Sequence, residues 1–120
     1  MLDFFIGMVY NVLVMKKTTL NLNLSKAPYY KSSYEEEILS SLSSGEIIME
    51  VQSVSDSNSV SKRVYITVMN EEHFSVQANL DSDGNLFHGW IDQGNCSRNL
   101  HPVTWDLIVR VLELTPDKLS

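Results

Sequence analysis

The stretch GEIIMEVQSVSDSNSVSKRVYITVMNEEHFSVQANLDSDGNLFHGWID, residues 45–92, decides the fold class of this 120-residue chain. Apolar residues alternate with polar ones at Val64, Ile66 and Val68, and the same alternation returns along residues 74–80. A period of two places successive side chains on opposite faces of a strand, so this pattern predicts a sheet with one buried and one wet face. Short polar connections between the segments favour antiparallel neighbours.

The whole chain is predicted to be a single α+β domain, because its length suits one hydrophobic core. We expect an antiparallel sheet of about four to five strands with two helices packed on it, in the order β-α-β-β-β-β-α. An apolar N-terminal element precedes this series, and the tail at residues 117–120 is expected to fray. The predicted strands cover residues 18–25, 46–54, 60–69, 73–80 and 86–92, and residues 93–99 are expected to be irregular.

Both predicted helices carry start and stop signals. Serines at 32 and 33 each precede a glutamate by three residues, which is the spacing of a capping box, and Gly45 is predicted to end this first helix in a left-handed cap. Pro102 suits the first turn of the second helix, and Pro116 is predicted to stop it. Apolar residues at helical spacing give each helix a face that should lie on the sheet.

Residues 1–14 are almost wholly apolar, and three interpretations stay open. The segment is either a packed core element, or a surface that contacts a partner or an interface, or translated sequence upstream of a natural start at Met15. It is too short to span a bilayer as a helix, and its positive charges follow the apolar run, unlike those of a signal peptide. We therefore expect no membrane span.

The charge distribution argues against nucleic-acid binding. The net charge is −6, and residues 32–120 carry five basic groups against fourteen acidic ones. Such an acidic body repels phosphate backbones, but it attracts basic protein partners. The only cysteine, Cys96, excludes an intrachain disulfide and agrees with a cytoplasmic location.

One local motif has the spacing of a calcium loop. Asn79, Asp81 and Asp83 would occupy ligand positions 1, 3 and 5, with Gly84 at position 6. Trp90 stands at position 12, where such a loop needs a carboxylate, and the preceding segment alternates like a strand. The stronger interpretation is a tight turn between two strands, since Asp, Asn and Gly are also what such turns select.

The last predicted strand is apolar on both faces. His88 and Trp90 share one face, while Phe87 and Ile91 share the other. One face must therefore be covered by another element or offered to a partner. These four residues are the candidate binding surface, because aromatic side chains dominate binding hot spots.

No catalytic motif or phosphate-binding loop occurs, so we name no catalytic residue and expect no cofactor. The leading hypothesis is a small acidic, non-enzymatic protein-binding module, such as an inhibitor, an immunity-type protein or an accessory factor, with self-association as one form of partnership. The alternative is a small-molecule or metal-binding protein, or a small enzyme, with a pocket over the sheet near Trp90 and His88.

Overall fold

The computed structural model describes residues 15–29, 32–54 and 59–120. Within these residues six strands form one antiparallel sheet whose spatial order follows the sequence. The predicted α+β class is confirmed, with one strand more than the expected maximum of five. The strands are β1 (Met15–Leu20), β2 (Glu46–Ser53), β3 (Lys62–Met69), β4 (Ser75–Leu80), β5 (Leu86–Gln93) and β6 (Cys96–Asn99). The helices are a short 3-10 helix (Leu24–Lys26), α1 (Ser33–Leu42), α2 (Pro102–Val111) and α3 (Pro116–Leu119).

One face of the sheet, the core face, carries the hydrophobic core. Its strand residues alternate as the sequence predicts, and Met49, Val64 and Ile66 are fully buried. The apolar faces of α1 and α2 belong to the same buried cluster, so both helices pack on this face. The helix residues of this cluster are Ile38, Leu39, Leu42, Trp105, Leu107, Ile108 and Val111.

The opposite face, called the outer face below, carries the other half of each alternating pattern. The strand registers place these residues side by side, and neither α1 nor α2 buries its apolar face there. The outer face consists of Lys17, Thr19, Glu46, Ile48, Glu50, Gln52, Arg63, Tyr65, Thr67, Met69, Ser75, Gln77, Asn79, His88, Trp90, Asp92, Ser97 and Asn99.

The first strand differs from its prediction. It was expected over residues 18–25, but β1 ends at Leu20 and a 3-10 helix begins at Leu24. The side chain of Asn23 accepts hydrogen bonds from the backbone N–H and the hydroxyl of Ser25. The backbone N–H of Asn23 donates to the Val111 carbonyl at 2.7 Å. Local capping by an asparagine competes with strand pairing, so the strand ends before the alternation of leucines does.

The sixth strand was missed, because residues 93–99 were expected to be irregular. Gln93 pairs with Cys96 across a two-residue loop, and Gly94 has φ +61°. A Gly-Asn dipeptide between two strand segments is a hairpin signal, since glycine takes positive φ without strain. The polar composition of β6 hid this signal, because all four of its residues are exposed.

Gly45 does not form the predicted left-handed cap of α1. The helix ends at Leu42, and Ser43 closes it with φ −90° and ψ 4°. A Cβ at Gly45 would collide with the Met69 carbonyl, so this glycine permits the close approach of two chain segments. The other end of α1 is capped as expected, because the Ser32 hydroxyl accepts the Glu35 N–H at 3.2 Å.

Only the C-terminal end of the chain lies within the described residues. The hypotheses for residues 1–14 lie outside the described residues. The C-terminal tail, predicted to fray, includes most of α3, and ammonium groups hold it: Lys16 donates to the Asp117 carbonyl and Lys62 to the Leu119 carbonyl. No helix in the described part of the chain is long and apolar enough to cross a bilayer.

Candidate functional site

Three rings of β5 lie next to one another at the outer face. The ring centroids of His88 and Trp90 are 5.8 Å apart with a 38° interplanar angle. Those of Phe87 and His88 are 5.1 Å apart in an edge-to-face arrangement. The structure therefore brings together three of the four residues of the predicted binding surface.

An irregularity in strand pairing explains how neighbouring rings meet. Asn79 pairs with His88 and Leu80 with Leu86, which leaves Phe87 without an opposite residue on β4. A bulge bends the strand and re-aims side chains, so Phe87 and His88 contact each other instead of pointing to opposite faces. Phe87 is 54% exposed as a result.

The fourth predicted residue, Ile91, does not belong to this surface. It is fully buried on the core face, in the same cluster as the apolar residues of α1 and α2. β5 does carry apolar residues on both faces, as predicted, and the helices cover the face that contains Ile91. Coverage of one face leaves the other as the candidate binding surface.

Asn79 is the most unusual polar residue of the outer face. It is only 2% exposed, and its Oδ1 atom has no hydrogen-bond partner. Its amide nitrogen lies 3.3 Å from Nε2 of His88, and the amide N–H donates there when that ring nitrogen carries no proton. A buried carbonyl oxygen without a donor costs free energy, so this amide destabilises the fold at that point.

A row of larger side chains crosses the middle of the outer face. Trp90 lies opposite Gln77, and Gln77 lies opposite Tyr65, so the two aromatic residues stand two strands apart, about 10 Å. Arg63 neighbours Asn79 in the adjacent row. Sequence reasoning missed Tyr65 and Arg63, although the alternation of β3 already placed both opposite the buried Val64 and Ile66.

The calcium-loop candidates do not converge. Oδ1 of Asp81 accepts the backbone N–H groups of Asp83 and Asn85, at 2.9 and 3.0 Å, which is the hydrogen bonding of a turn. Gly84 in that turn has φ +84°. Asn79 instead contacts His88 on the outer face. Among the described residues no group of three or more His, Cys, Asp or Glu side chains is placed to hold a metal ion.

A cavity of about 330 Å³ lies on the other side of the same turn. Trp105 of α2 lines it, together with residues from β3, the turn and the C-terminal tail. The two tryptophans of the chain therefore lie in different environments, with Trp90 on the outer face and Trp105 beside the cavity.

Comparison of this chain with protein-family models, with curated proteins and with solved structures finds no match.

Proposed function

We propose that this chain is a small acidic protein-binding module, that it binds through its outer face, and that its partner is a second copy of itself. The observation that carries the proposal is the position of both helices on the core face. The outer face keeps Trp90, Tyr65 and Arg63 partly exposed and without cover from either helix.

The residue types support a protein partner. Tryptophan, tyrosine and arginine are the side chains most enriched at binding hot spots, because each combines a large apolar area with a polar tip. Trp90, Tyr65 and Arg63 lie on adjacent rows of one face, and Phe87 extends the apolar area at its edge. These side chains supply the anchors that a protein interface needs near its centre.

The charge balance supports a second copy. The chain carries a net charge of −6, yet the charged groups of the outer face nearly cancel. Lys17 and Arg63 stand against Glu46, Glu50 and Asp92, with Lys17 directly opposite Glu50 on the neighbouring strand. Two acidic chains repel each other at most surfaces, but this face presents only one net negative charge to a copy of itself.

The size of the face predicts a weak, reversible complex. Six strands at about 4.8 Å spacing and about six residues along each give roughly 500 Å² per partner, below the roughly 800 Å² typical of stable interfaces. Association is therefore expected in the micromolar to millimolar range.

Sedimentation equilibrium tests the proposal over protein concentrations from about 10 μM to about 1 mM. The full chain is expected to form a dimer as concentration rises, and Trp90→Ala should raise the dissociation constant about tenfold, because hot-spot truncations typically cost more than 1 kcal/mol. Val103→Ala is the matched control: this residue is apolar and 68% exposed, but it lies on α2.

Two results would contradict the proposal. One is a strict monomer throughout the concentration range. The other is a dimer that Trp90→Ala and Val103→Ala affect equally, since the contact would then not involve the outer face.

A further inference from the structure

The cavity beside Trp105 has a floor and a rim of different chemistry. Its floor consists of Leu80, Trp105 and Leu114, whose exposed fractions are 1, 6 and 5%. Val109 and Leu119 complete the apolar wall. A volume of about 330 Å³ is at the lower end of the range of small-molecule sites, so a single ring with a short side chain would fit.

The rim carries more negative than positive charge. Asp81 and Asp83 line it from the turn, and Lys62 lines it from the start of β3. The Lys62 ammonium donates to the Leu119 carbonyl, which holds it against the tail. The carboxylate of Asp83 makes no hydrogen bond or ion pair with another described residue, and one oxygen of Asp81 is already occupied by the turn.

An apolar floor with an aromatic ring under an acidic rim selects one class of ligand. The ring of Trp105 offers contact area to an apolar body and an attractive face to a cation. The free carboxylate of Asp83 offers the ion pair, and the net charge of the whole chain favours the approach of a cation. An anionic ligand of the same shape gains only the partly engaged Lys62 and faces two carboxylates.

We infer that this cavity binds a small organic cation with an apolar body, of the arylalkylamine class, with its ring on Trp105 and its ammonium group at Asp83. The site lies on the core side of the turn, away from the outer face. It is thus independent of the proposed self-association.

Fluorine NMR of the full chain labelled with 5-fluorotryptophan tests this site, because the chain has only two tryptophans. Trp90→Phe assigns the two signals. Titration with 2-phenylethylamine, at a fixed protein concentration and neutral pH, is expected to shift the Trp105 signal and to leave the Trp90 signal in place. The isosteres 2-phenylethanol and phenylacetate, one neutral and one anionic, are expected to bind more weakly, in that order.

Variants separate the charge from the cavity. Asp83→Asn should weaken amine binding by up to about fivefold, the upper end of the range for one exposed ion pair, and should leave 2-phenylethanol binding unchanged. Glu46→Gln is the matched control, because this exposed carboxylate lies at the opposite end of the sheet. Val109→Phe should fill the cavity and abolish binding of all three ligands, with thermal melting to show that the variant is folded.

Three outcomes would overturn the inference. They are equal binding of the amine and phenylacetate, an unchanged amine affinity in Asp83→Asn, and an amine-induced shift at Trp90 in place of Trp105. None of them bears on whether the chain dimerises, so a failure here is distinguishable from a failure of the proposed function.

Discussion

The two faces of the sheet are built from the same alternating strands but differ in how completely they are covered. On the core face, residues such as Ile66 and Ile91 are 0% exposed under two helices. On the outer face Tyr65 and Trp90, which precede these two isoleucines in sequence, stay partly exposed. The difference teaches that alternation defines two faces, while the placement of the helices decides which face is left to bind.

The largest test of this comparison is a pair of neighbouring truncations on β3. Ile66→Ala removes buried methylene groups and leaves a cavity, so we expect a loss of about 2 to 5 kcal/mol in the free energy of unfolding. Thr67→Ala, one residue further and exposed, should cost less than about 1 kcal/mol. Urea denaturation of both variants measures the ratio. Equal losses would contradict the assignment of the faces.

The next test compares a methyl group added on the core face with a ring removed from the outer face. A Cβ at Gly89 would collide with the Gln77 carbonyl and press on Leu100, so Gly89→Ala should destabilise the chain by about 1 to 3 kcal/mol. His88→Ala removes an exposed ring from the outer face of the same strand and opens the Asn79 amide to water, so it should cost less than about 1 kcal/mol. Thermal melting compares them, and a larger loss for His88→Ala would show that the outer face is packed.

The smallest expected change concerns the buried amide of the outer face. Asn79→Val removes the unpartnered Oδ1 atom and puts a residue of high strand propensity in its place. The free energy of unfolding should stay the same or rise by up to about 1 kcal/mol. Dimerisation should stay unchanged, because Oδ1 is closed to solvent and to a partner. Chemical denaturation and sedimentation of one sample measure both. A stability loss above about 2 kcal/mol would mean that the fold depends on the Asn79 amide.

Much of this architecture could be predicted from the sequence, because alternation and helix capping are local signals. The inward residues of β2, β3 and β4 needed no tertiary information, and the cap of α1 was narrowed to Ser32 or Ser33, of which the structure uses Ser32. The end of β1 needed the Asn23 contacts with Ser25 and Val111, and the latter is remote in sequence. β6 was missed because every one of its residues is exposed.

The site was predictable only in part, for a physical reason. The ring-bearing residues of β5 are evident from their residue types, but Ile91 and Phe87 share an expected face and only coordinates show that a bulge separates them. The pairing of Trp90 with Gln77 and of Gln77 with Tyr65 depends on strand register. The cavity at Trp105 is lined by the turn, α2 and the tail, which are distant in sequence, so no local sequence pattern predicts it.

The most direct test of the central claim uses the two tryptophans as reporters of the two sides of the sheet. Fluorine NMR of the 5-fluorotryptophan-labelled chain is recorded without ligand while protein concentration rises from about 10 μM to about 1 mM. Burial of the outer face by a second copy should shift or broaden the Trp90 signal and leave the Trp105 signal unchanged. Two signals that both stay constant, or a change confined to Trp105, would contradict the account.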